Sequence, residues 1–211
     1  MNVSKKEIEH ALLDVRKAYR LLHDYQRAAL DAASYIGAQL GLSYSGGYSC
    51  FSDAPPKQGR REVLRNCWAW DWLNLYFYDF VFSKKIDDKE YRLSIWLFSD
   101  TGYFVSNNLS ALQTEVNSFA PAENSGTKVG FVLYSEWNPE MDKFYTDKEA
   151  VRNFIENNAE LPHLHQDAGV LAMCCDFSRL CDEVSTDAVI GELLKLAKSR
   201  DFPLERVKKA V

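Results

Sequence analysis

SKKEIEHALLDVRKAYRLLHDYQRAALDAASYIGAQL, residues 4–40, reads as one uninterrupted amphipathic helix. Ser4 and Glu7 frame a capping box, in which the Ser4 hydroxyl and the Glu7 carboxylate each satisfy an otherwise orphaned backbone N–H. Apolar or small residues then recur in alternating steps of four and three: Ile8, Leu12, Val15, Tyr19 and Leu22, a polar break at Gln26, then Ala29, Ala33, Ile36 and Leu40. That spacing is a heptad seam. At roughly 1.5 Å per residue the helix is about 54 Å long, more than the diameter of a small domain. Part of it must project or be covered by a partner. Gly41 stands where a left-handed cap ends a helix.

The two halves of this stretch differ. Up to Arg20 the face opposite the seam is charged or polar (Lys6, Glu7, His10, Asp14, Lys17), whereas from Leu21 onward Leu21, Tyr25, Ala28, Leu30, Ala32, Tyr35 and Ala38 surround the axis. A helix apolar all round is a buried one, so the second half reads as a central core helix. The first half carries one sticky face. Alanines beside the seam at Ala11, Ala18 and Ala32, in place of charges, favour a helix inside a bundle or against a sheet, and the plain reading of the sticky face is that it packs on the chain's own C-terminal helices. A seam between two copies is the competing reading.

The rest of the chain sets the class. With 211 residues, 46% of them hydrophobic, the chain can bury a full core. The net charge of -5 supplies no broad basic footprint for duplex nucleic acid or an anionic membrane. The cluster Lys57, Arg60, Arg61 and Arg65 reads as a solvated face. No apolar run has the length of a signal peptide or a membrane span, which points to a cytosolic protein. Five cysteines, an odd number at low density, are not a secreted disulfide framework.

After Gly41, the runs flanking Gly46-Gly47 read as a tight hairpin, and Pro55-Pro56 marks a loop. Trp68 to Phe82 places Trp68, Trp70, Trp72, Tyr76, Tyr78, Phe80 and Phe82 on one parity, with Leu75 to Phe82 a central strand covered on both faces. A charged turn over residues 84–89 leads into a second strand over residues 90–99. Pairing resumes over residues 103–106, and residues 128–135 make a third strand. Thr146 to Glu149 is a second capping box, opening a helix with Val151, Phe154 and Ile155 inward. Residues 169–177 read as a strand. Ser185 or Thr186 then caps a helix with Val189, Leu193, Leu196 and Ala197 buried, and Pro203 starts a short basic helix. This order predicts a single α+β domain, a mainly antiparallel, aromatic-rich sheet backed by helices.

Chemistry-bearing motifs are sparse. Asp71, Asp79 and Glu90 around the hairpin are the acidic residues a metal-dependent hydrolase or nuclease would need, yet Glu90-Tyr91-Arg92 offers no lysine in register. His163 and His165 lie upstream of Cys174, Cys175 and Cys181 in no zinc-site spacing, and adjacent cysteines on a strand point to opposite faces. No metal and no cofactor is expected. Asp100-Thr101-Gly102, after apolar Leu97-Phe98, resembles the active-site triplet of aspartic proteases. That family continues with Ser or Ala where this chain has Tyr103, and the second copy such a site needs is absent from the chain; a turn uses the same residues. Trp70 and Trp72 could line a ligand pocket, although an aromatic strand more commonly forms core. The leading expectation is a non-enzymatic interaction protein that self-associates or binds a protein partner through Ile8, Leu12, Val15 and Tyr19. A hydrolase or nuclease using Asp71, Asp79, Glu90, His163 or His165 is the alternative.

Overall fold

A computed structural model of the chain describes residues 4–50, 76–105, 116–135, 147–157 and 170–207. Helix α1, Lys5–Leu40, begins with the capping box, Ser4 accepting from the Glu7 N–H and Glu7 from the Ser4 N–H. It ends at Gly41 in the left-handed conformation, φ 63°. Strands β1 (Ser43–Ser49), β2 (Phe77–Ile86), β3 (Lys89–Phe98), β4 (Lys128–Tyr134) and β5 (Val170–Asp176) form one five-stranded sheet in sequence order, every neighbouring pair antiparallel. Helix α2, Lys148–Asn157, lies between β4 and β5 in the chain, and α3, Glu183–Ser199, follows β5. The fold is α+β.

Strand alternation sorts the side chains into two cores. On one face Phe80, Phe82, Leu93, Ile95, Leu97, Val129, Phe131, Leu133, Leu171, Met173 and Cys175 meet Ala29, Ala33, Ile36 and Leu40 of α1 and Val189, Ile190, Leu193 and Ala197 of α3. On the other, Phe77, Trp96, Phe98, Val132 and Tyr134 meet Ala150, Val151, Phe154 and Ile155 of α2 together with Tyr103 and Phe104. Rings cross edge to face there, Trp96 on Phe154 at 5.9 Å and Phe77 on Tyr103 at 5.0 Å. Helices thus cover both faces of the sheet, and β2, β3 and β4 are interior strands, as their two-sided apolar patterns require.

Several local expectations are corrected. Gly46-Gly47 is no hairpin: β1 is one strand, and Ser45 is the extra residue of a bulge between Tyr44 and Gly46. A side chain at Gly47 would strike the Tyr78 ring. The turn over residues 84–89 contracts to Asp87-Asp88, both at positive φ, the geometry of the tightest hairpins. Residues 101–105 form a 3-10 turn instead of resuming the sheet. Asp147, accepting from the Glu149 and Ala150 N–H groups, caps α2, and Thr146 lies outside the described residues. Asp182, not Ser185 or Thr186, caps α3, because its carboxylate reaches the Ser185 N–H at 2.7 Å. From Pro203 to Val207 the chain runs as a strap without helical structure. Phe202 and Leu204 are buried, and the Val207 N–H donates to the Gln39 carbonyl, so tertiary anchoring overrides helix propensity.

The largest correction concerns α1. Its second half is not apolar-buried all round: Ala29, Ala32, Ala33, Ile36, Gly37 and Leu40 face the sheet, while Leu21, Ala28, Leu30 and Ala38 are exposed. Its first half does not pack on the C-terminal helices. Every residue from Lys5 to Asp24 is exposed.

Candidate functional site

One seam therefore runs the length of α1 and is covered only in its second half. Ala29, Ala33, Ile36 and Leu40 are buried by the chain's own sheet, whereas Ile8, Leu12, Val15, Tyr19 and Leu22 continue the same heptad positions into water at 48%, 49%, 46%, 70% and 37% exposure. Leu13 and Leu21 widen the apolar surface beside it, Leu21 against the expectation that it belongs to the core. Exposed large side chains gathered on one helix face are an interaction signal, unlike the same residues scattered singly. The face away from the seam is braced by His10 with Asp14 at 3.8 Å and Lys17 with Asp14 at 3.0 Å, and at the N-terminal end Lys5 pairs with Glu9 at 3.8 Å. These exposed pairs contribute to helicity and solubility more than to stability.

Of the candidate catalytic residues, the two that are described, Asp79 and Glu90, do not converge. Asp79 sits in the sheet at 2% exposure, with the Ser94 hydroxyl donating to its carboxylate at 3.2 Å. Ser94 and Tyr134 extend this polar line diagonally over β3 and β4 on the α2 face, and burial pushes the Tyr134 phenol up. The Cys50 thiol nearby is pushed up to about 12 by burial and by the Asp79 charge. Glu90 lies six register steps along the β2–β3 hairpin from Asp79, roughly 20 Å away at the strand rise. It accepts from Arg92 at 2.8 Å, a bond that holds its carboxyl below the usual range. Two carboxylates so far apart cannot share one ion. Asp71, His163, His165, Trp70 and Trp72 lie outside the described residues.

Asp100 is a turn residue. Its carboxylate accepts from the Gly102 N–H at 2.8 Å and from the Tyr76 hydroxyl at 2.7 Å, while the Thr101 hydroxyl oxygen accepts from Gly126. Burial and this carboxylate together push the Tyr76 phenol well above its ordinary value. Cys174 and Cys175 belong to opposite cores, and burial raises their thiols to about 12 and about 11. Neither is a thiolate at neutral pH, the form that ligates or attacks. Among the described residues no group of His, Cys, Asp and Glu could hold a metal ion, and no helix is long and apolar enough to cross a membrane.

Periodicity in the sequence identifies the seam and the alanines on one side of it, but not the charged pair on the other. The signal for them is present: Glu9 and Arg16 occupy equivalent heptad positions on one side of it, and Ala11 and Ala18 on the other. No curated protein and no solved structure matches the chain. A family model described as PM0109 matches residues 5–202, from the first turn of α1 into the C-terminal strap, and the chain therefore belongs to the PM0109 family.

Proposed function

We propose that this is a non-enzymatic, cytoplasmic interaction protein that self-associates through the Lys5–Asp24 segment of α1. The carrying observation is that one heptad seam is buried by the sheet in its second half and left in water in its first. Fully burying a large apolar side chain contributes about 1.5–3 kcal/mol, so covering the exposed part of Ile8, Leu12, Val15, Tyr19 and Leu22 on two copies contributes roughly 8–15 kcal/mol. Association costs about 4–15 kcal/mol in lost freedom. A surplus of about 4–7 kcal/mol, which these two ranges admit, corresponds to a reversible dimer with a dissociation constant of roughly 10 μM to 1 mM.

Sedimentation velocity from roughly 5 μM to 1 mM, bracketing that range, should show mass rising with concentration. The double variant Leu12→Asp, Val15→Asp should stay monomeric throughout. Its unfolding free energy should stay within about 0.5 kcal/mol of the wild-type monomer, because both side chains are exposed within their own chain. A wild-type protein that remains monomeric at the top of the range overturns the proposal.

A further inference from the structure

Resting on that self-association, we infer that the occupant of the seam is a second copy of this chain laid antiparallel, with Ile8 against Tyr19 and Leu12 against Val15 of the second copy. The steps from Ile8 to Leu12, Val15 and Tyr19 are four, three and four, a pattern that reads the same from either end, and Leu22, the last exposed seam residue, falls level with Lys5 of the second copy. A helix turned end for end therefore presents the same knobs at the same heights, the requirement of a self-complementary two-fold contact.

The extent of the exposed segment fits the same register. With Ile8 level with Tyr19, Ser4 reaches the height of His23 of the second copy, and burial of α1 within its own chain begins just beyond, at Tyr25. The pairing uses the uncovered segment whole, and the two sheets lie past opposite ends of a paired stretch roughly 30 Å long. A parallel pairing brings both sheets to the same end, where each already occupies the continuation of the seam.

Charge favours the same orientation. Reversing one helix sets like flank against like flank, so Glu9 faces Arg16 of the second copy twice over, and Ala11 faces Ala18 on the other side, where small residues permit close approach. In a parallel pair Glu9 and Arg16 face Ser4 and Ala11 instead. Arg16 makes no ion pair among the described residues, and Glu9 has only its loose pair with Lys5 at 3.8 Å.

Cysteine pairing tests the orientation. In a Cys181→Ser background, which removes an exposed thiol, Ile8→Cys and Tyr19→Cys are made singly, oxidised alone and as a mixture, and the linked peptides identified by mass spectrometry. The antiparallel register gives the mixed disulfide, joining the thiol of the Ile8→Cys chain to that of the Tyr19→Cys chain. It gives neither homodisulfide, since like positions lie eleven residues, about 16 Å, apart along the axis and a disulfide needs Cα atoms within about 7 Å. Homodisulfides exceeding the mixed species overturn the orientation while leaving self-association standing; a chain monomeric throughout overturns the self-association on which it rests. Charge exchange gives a second reading. Glu9→Arg and Arg16→Glu should each weaken the dimer about tenfold, and the double exchange should restore it to within about threefold. Equal weakening by the singles and the double overturns the register.

Discussion

Glycine does opposite things at two helical positions. At Gly37 an added Cβ would lie 2.4 Å from Cε1 of Phe82, so the missing side chain is what lets α1 settle on β2. Phe82 cannot swing clear, being buried and held edge-on by Tyr44 at 5.4 Å. At Gly191 in α3 the same Cβ meets nothing within 4 Å. Gly37→Ala should therefore destabilise by about 1–3 kcal/mol despite its better helix propensity, because a packed ring must move. Gly191→Ala should stabilise by about 0.5–1 kcal/mol, the propensity gain alone. Urea unfolding of the two variants checks the signs, and equal shifts would contradict the packing described. Here sequence reading meets its limit: both glycines look like the same blemish in a helix, and what separates them is Phe82, brought across from another element.

Helix ends show where local reasoning suffices and where it stops. The α1 capping box and its Gly41 stop involve residues within one turn of each other, so both are legible in the sequence alone. Local pattern puts the α3 start one turn late, since Asp182, Ser185 and Thr186 are all competent caps and only the geometry chooses Asp182. The C-terminal strap escapes local reading because its partners are distant: Arg206 bonds Gln39 of α1 and Asp187 of α3, contacts invisible in the segment itself. The Asp182 cap has a titration consequence. The Ser185 N–H and neighbouring donors lower its carboxyl from its ordinary 3.8. A lowered folded value means the stabilisation is complete above 3.8 and drains away as pH falls through the folded value. Asp182→Asn keeps an acceptor but cannot titrate, so the wild type should melt higher at pH 7, and the difference should close as pH falls from 3.8 through the lowered folded value. A gap that persists in acid would assign the effect to geometry, not charge.

Across the whole molecule the sheet is readable because each strand pairs with its sequence neighbours, and the near-continuous apolar runs of β3 and β4 mark strands buried on both faces. The candidate site is half readable: the seam is periodic and local, while its exposure depends on where the sheet ends along α1. Removing residues 1–23 should abolish self-association yet change the unfolding free energy of the monomer by no more than about 0.5 kcal/mol, since none of the described residues deleted is buried. Calorimetry on dilute samples checks this, and a collapse of the melting temperature would show that the first half of α1 supports the core after all. The bulge at Ser45 bears on how far any assembly can grow. No strand among the described residues pairs with the outer edge of β1, and that edge is interrupted by an unpaired residue and two glycines, a poor template for the strand of a neighbouring molecule. With stacking through the β1 edge discouraged and the proposed α1 contact self-complementary under a half-turn, association through that contact should close at two chains and not propagate.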